Sequence, residues 1–115
     1  MFSIYHNPRC SKSRAALNLL QAAGVDIHII LYLQQAPDVQ RLQQLQQLLG
    51  CPVRDMLRDG EAIYQELQLD REELDDTQLL QALAAHPQLL QRPIVVHGEQ
   101  AMIARAPERV TALLP

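Results

Sequence analysis

With 115 residues and 13.0 kDa the chain has material for one domain with a sizeable core, and 48% apolar against 20% charged residues is the balance of a soluble globular protein. A formal charge of −3 gives no field that would recruit nucleic acid or an anionic membrane. No apolar run is long enough to span a bilayer and no signal peptide precedes the first strand, so a cytoplasmic, reducing compartment is the expected setting.

Residues 1–5 read as a buried strand, with Pro8 punctuating its exit. A helix follows over 11–23, because Ala16, Leu17, Leu20 and Ala23 fall on one face at spacings of three and four, and Gly24 stops it. Residues 25–33 form a second strand, apolar on both faces from Ile29 onward, which predicts cover by helices on both sides. Strand, helix, strand makes a βαβ unit with parallel strands. After a linker at 34–37, Asp38 caps a helix whose stripe is Val39, Leu42, Leu45 and Leu49, ended by Gly50; its glutamines make a solvated face. Cys51-Pro52 restarts the chain. Val53, Met56 and Leu57 make a helical turn, Asp59-Gly60 a turn, and Ile63, Tyr64 and Leu67 a short helix. Asp75 and Asp76 cap a helix carrying Leu79, Leu80, Leu83 and Ala84, ended at His86-Pro87. Residues 94–96 and 100–105 form a hairpin about a tight turn at His97-Gly98, and Pro107 opens a last short helix with Val110, Leu113 and Leu114 inward. The order β-α-β, a helical insertion over about 38–90, then β-β-α predicts an α/β, thioredoxin-like fold. It is one domain over 1–115, a mixed four-stranded sheet flanked by helices.

The chemistry concentrates in residues 4–14, where Cys10 sits at the start of the first helix with Lys12 and Arg14 within a turn. Free backbone N–H groups and the helix dipole favour a thiolate there, and the same N–H groups can cradle an oxyanion. Nine of the ten cations are Arg, whose rigid fork suits oxyanions. Position 13 is Ser13, so the local pair of a dithiol site is missing and a redox cycle needs an external thiol. A phosphatase-type loop, Cys then Arg six residues on, is excluded by Ala16. Cys51 follows Gly50 after an apolar helix and reads as a small core residue, a resolving role being the alternative without support. His6 fits two roles equally, an imidazolium favouring the thiolate or a loop residue bonded to backbone. Arg14 either serves the thiol or pairs with an acid on its helix. His28, His86 and His97 lack metal-ligand spacing, so no metal is expected. Tyr32, ending an apolar strand, reads as core rather than a platform for substrate. By composition alone Pro93 is an ordinary trans proline; the predicted fold instead makes it a cis-proline candidate facing the thiol.

The segments Tyr5-His6-Asn7-Pro8, Cys10, Ser13-Arg14, Ile29-Ile30-Leu31-Tyr32-Leu33 and Arg92-Pro93-Ile94-Val95-Val96 resemble the glutaredoxin-dependent arsenate reductases, and the resemblance runs through nearly all of the chain. It implies that Cys10 attacks arsenate to give a thiol-arsenate adduct, that glutathione attacks in turn and arsenite leaves, and that glutaredoxin resolves the mixed disulfide. Glutathione is then a reducing co-substrate, with no bound cofactor. The resemblance puts oxyanion binding on Arg58, Arg92 and Arg105, and thiolate support on His6, Ser13 and Arg14. Ser11-Lys12 and Arg9 depart from well-studied members, which carry Gly-Thr and a small residue there. A monothiol with scattered arginines independently suits covalent attack on an arsenic or phosphorus oxyanion. Two other readings are a redox-linked transcription regulator docking on RNA polymerase and a general glutathione-dependent thiol reductase. The first would carry Cys-x-x-Cys and lack the arginines; the second would not need them.

Overall fold

The structure is a computed structural model that describes Met1–Leu114. Its chain divides into two compact units, one made of Met1–Gln35 with the segment from Arg92 onward, the other of Ala36–Gln91.

The first unit is built on a four-stranded sheet in the order β2-β1-β3-β4, from β1 (Phe2–Tyr5), β2 (Ile27–Ile30), β3 (Ile94–His97) and β4 (Gln100–Ile103). β1 pairs parallel with β2, setting Ile4 against Ile29, and antiparallel with β3, setting Ile4 against Val95; β3 and β4 are antiparallel. This is the mixed thioredoxin-like sheet that the element order predicts. Alternation along β1 sends Phe2 and Ile4 to one face, where they join Val95, Ala104, Ala16 and Leu20 of α1 (Ser11–Ala22), and Val110 and Leu113 of a 3₁₀ helix at Pro107–Leu113. α1 and that last helix pack on each other over the sheet. The His97 ring stacks on Phe2 at 3.9 Å between centroids, and its Nδ1 lies 3.1 Å from the Leu113 carbonyl oxygen, tying the chain's end to β3. α1 is reversed by Gly24 at φ +74°, a conformation that other residues adopt at a penalty.

Two expectations are corrected. The run 25–33 is not one strand covered on both faces. β2 ends at Ile30, lies at the sheet edge, and leaves Ile29 39% exposed. The amides of Gln34 and Gln35 both donate back to the Leu31 carbonyl, at 2.9 and 2.8 Å, and this turn carries Tyr32 inward to full burial while Leu33 faces out. The hairpin turn also falls one residue later than expected. His97 pairs with Gln100, so Gly98 and Glu99 form it, with Gly98 at φ +62° supplying the left-handed backbone.

The second unit is helical. α2 (Val39–Leu49) begins at Asp38, whose carboxylate accepts the Arg41 amide at 2.8 Å, and stops at Gly50 with φ +64°. Further on come a 3₁₀ turn at Val53–Met56 and the short α3 (Ala62–Glu66). α4 (Asp76–Ala85) opens with a reciprocal cap between Asp75 and Gln78 and packs against α2, burying Leu79, Leu80 and Leu83. A bridge between Leu57 and Leu90 brings the Arg58 amide to the Leu89 carbonyl at 2.7 Å.

Candidate active site

The loop between β1 and α1 is wound tightly on its own polar groups. The Cys10 amide donates to the Asn7 carbonyl at 3.0 Å, and the Asn7 side chain accepts the Arg9 amide at 3.0 Å. Ser13, fully buried on the first turn of α1, reaches back under the loop: its Oγ accepts the Asn7 amide at 3.0 Å and lies 2.6 Å from His6 Nδ1. Arg14 completes the frame by donating from Nη1 to the Pro8 carbonyl at 2.8 Å, so neither the thiol nor an acid on its helix takes that nitrogen. Burial, and then the charge of Arg14, lower the His6 pKa, so the ring is neutral near pH 7. The structure therefore favours neither of the two roles open to His6. Its ring nitrogen meets the Ser13 hydroxyl, a side chain rather than the backbone.

That frame leaves Cys10 as the half-buried N-cap residue of α1, with φ −93° and ψ 121° and a side chain that makes no capping bond of its own. Burial pushes the thiol pKa up, but the backbone N–H of Ser13, the Arg92 side chain and the N–H of Lys12 pull it down, and the net shift is downward. Ser13 thus serves twice, with its hydroxyl under the loop and its amide toward the sulfur. The alkylation rate of Cys10 against pH should therefore rise through a midpoint clearly below the free-thiol value of about 8.5. Since Arg92 favours the charged form, Arg92→Gln should move that midpoint up. A wild-type midpoint at or above the free value would remove the activated nucleophile.

Arg92 reaches the thiol from two residues before β3, and its peptide bond to Pro93 is cis. Arg105 follows Ala104, whose amide donates to the Pro93 carbonyl at 2.9 Å, and its side chain is exposed. Arg58 belongs to the helical unit, where it pairs with Glu61 at 3.3 Å in a half-exposed position. Cys51 is half-buried in the same unit, its carbonyl held by the Gln46 amide nitrogen at 2.7 Å. Two residues to which the sequence reading assigns no part in the site, Asn7 and Tyr32, lie at it. Asn7 organises the loop through an Asx-type turn, for which the signal was an Asn two residues before Arg9 in a Pro-containing loop. Tyr32 is fully buried, and its hydroxyl lies toward Arg92, Asn7 and Cys10. Among the described residues no group of three or more His, Cys, Asp or Glu is placed to hold a metal ion, and no helix is long and apolar enough to cross a membrane.

Comparison with known proteins points the same way. The ArsC family model matches residues 5–113. The chain is 45% identical over 112 residues to the arsenate reductase of Neisseria meningitidis serogroup A, covering 96% of both chains. It is 44% identical to that of Haemophilus influenzae, covering 96% of this chain and 97% of the other. The solved structure of an arsenate reductase from Vibrio cholerae aligns at a TM-score of 0.96 with 46% identity, over 98% of this chain and 97% of that one. With the matched span taking in the β1–α1 loop, the helical unit and the hairpin, the chain belongs to the ArsC family.

Proposed function

We propose that the protein is an arsenate reductase in which Cys10 is the nucleophile and glutathione and glutaredoxin supply the reducing power. The observation that carries this reading is the Cys10 thiol at the N-terminus of α1, held toward its thiolate form by two helix amides and by Arg92. The Cys10 sulfur attacks arsenic, a hydroxyl leaves as water, and a thiol-arsenate adduct forms. A glutathione thiolate then attacks the Cys10 sulfur. The S–As bond breaks with its electron pair on arsenic, which goes from As(V) to As(III) and departs as arsenite, while the two sulfurs are oxidised to a mixed disulfide. Thiol exchange with glutaredoxin returns Cys10. An external thiol is required locally because Ser13, not a second sulfur, stands three residues on.

In this reading Arg92, whose side chain already acts on the Cys10 sulfur, neutralises the tetrahedral oxyanion, and Arg58 and Arg105 are the other two guanidinium groups of the anion site. His6, Ser13 and Arg14 support the thiolate indirectly, by fixing the loop that presents Cys10. The chemistry suits a reducing cytoplasm in which glutathione is abundant. Purified protein supplied with arsenate, glutathione and glutaredoxin should release arsenite in amounts that exceed the enzyme many times over, and omitting either thiol component should stop turnover. Glutathionylation of Cys10 without any arsenite release would instead favour a general thiol reductase.

A further inference from the structure

Tyr32 has no exposed surface, yet its hydroxyl has no hydrogen-bond partner. In the same unit a second buried polar atom is unpartnered, Nε of Arg92. Buried polar groups are rarely left this way, and such exceptions mark sites whose bonds are completed by something else. The two atoms are complementary. A guanidinium nitrogen can only donate, whereas a tyrosine oxygen accepts as well as donates. The Arg92 side chain also lies near the Tyr32 hydroxyl, yet neither of the two atoms has a hydrogen-bond partner. Burial raises the phenol pKa and outweighs the opposing pull of Arg92, so the hydroxyl keeps its proton at neutral pH. Asn7 also lies near it, and because the Arg9 amide takes its side-chain oxygen it can offer the hydroxyl only its NH2 group.

We propose that Tyr32 is a positioning residue of the anion site: its hydroxyl accepts the Arg92 Nε–H when an oxyanion is bound, fixing the guanidinium so that its terminal nitrogens face the anion above Cys10. Tyr32 therefore acts on the anion through Arg92, and its contribution disappears where Arg92 is absent. The role rests on the arsenate reductase reading, but the anion site can be measured without any reduction.

The variant is Tyr32→Phe, which keeps the buried ring and removes only the hydroxyl. The first readout is protection of Cys10 from iodoacetamide by inorganic phosphate, a tetrahedral oxyanion that thiols do not reduce. The half-protecting phosphate concentration should rise about tenfold in Tyr32→Phe, the scale of one lost hydrogen bond to a charged group. The alkylation rate of the free enzyme should stay close to wild type. Because the variant removes an unpartnered buried hydroxyl, its Tm should be unchanged or higher. In arsenate turnover kcat/KM should fall by a similar factor. Adding Tyr32→Phe to Arg92→Ala should change neither readout further, since residues acting through one another are not additive. Equal effects of Tyr32→Phe with and without Arg92 would overturn the proposal, as would phosphate protection within twofold of wild type. Failure of phosphate to protect the wild-type thiol would overturn it too, because no anion would then need orienting. Absence of arsenate turnover in a wild type that phosphate protects would count against the reductase reading and leave the Tyr32 result readable.

Discussion

Cys10→Ser is expected to abolish arsenite release, lowering turnover by at least ~10³-fold, equivalent to more than about 4 kcal/mol of transition-state stabilisation. Two losses combine. A serine hydroxyl at the same helix start stays protonated near neutral pH, so the amides of Ser13 and Lys12 have no anion to favour. More fundamentally, an oxygen at position 10 cannot end as half of a disulfide, so the two electrons that arsenic must gain have no source at the enzyme. The variant should fold, because Cys10 is a half-buried cap residue whose side chain makes no capping bond, and serine is itself a favoured cap. Cys51→Ser is the control. It should keep most of the activity, since Ser13 occupies the local partner position and Cys51 lies in the helical unit with its carbonyl tied to Gln46. Loss of turnover in Cys51→Ser with an unchanged circular dichroism spectrum would replace the external-thiol cycle with an intramolecular relay.

The second large effect is expected from the arginines. Each of Arg58→Ala, Arg92→Ala and Arg105→Ala should reduce arsenate turnover by about ten- to a hundredfold, because a charge-assisted hydrogen bond in a partly buried site contributes roughly 1.5–3 kcal/mol. Arg92→Ala should be the most severe, since it removes an anion ligand and also raises the Cys10 pKa. Arg58→Ala offers a cleaner separation of binding from stability. Its ion pair with Glu61 is about 30% exposed, and such pairs are worth about 0–1 kcal/mol. A small change in denaturation midpoint beside a large fall in kcat/KM would therefore assign Arg58 to the anion. In all three variants iodoacetamide, being neutral, should react with Cys10 at rates that differ far less than the arsenate rates. If arsenate turnover stays within a factor of about two in all three, the oxyanion site assigned to them is wrong.

What could be read in advance follows the range of the forces involved. Short-range signals were legible. Asp38 and Asp75 cap α2 and α4 as their side chains dictate, Gly24 and Gly50 take the left-handed backbone that ends α1 and α2, and the order of strands predicts the mixed sheet. The place of Cys10 at a helix start is equally local, because Pro8 and the apolar spacing beyond it leave the helix nowhere else to begin. The rest depends on contacts distant in sequence. A β-branched run looks the same in a central strand and in an edge strand, so the exposure of Ile29 came from the sheet order and not from composition. Tyr32 has the sequence environment of a core residue and is one by burial; the direction of its hydroxyl is set by the turn that ends β2 and by Arg92, sixty residues away. The bonding of Ser13 Oγ to His6 and to the Asn7 amide likewise arises only once α1 is folded against the loop.

That last arrangement bears on how readily one redox style could evolve into another. A cysteine in place of the serine at position 13 would write Cys-x-x-Cys into the chain. The position is not free to receive it. The Ser13 side chain is wholly enclosed and its oxygen already meets a backbone donor at 3.0 Å and an imidazole at 2.6 Å. Sulfur is larger and a much weaker hydrogen-bond group, so the substitution would crowd the enclosure and leave the Asn7 amide poorly satisfied, at about 1–3 kcal/mol for a buried donor. A thiol there would also have to leave the enclosure to meet Cys10. Passage to a dithiol enzyme from this chain therefore needs the β1–α1 loop rebuilt before the second cysteine arrives, a multi-step path with a destabilised intermediate.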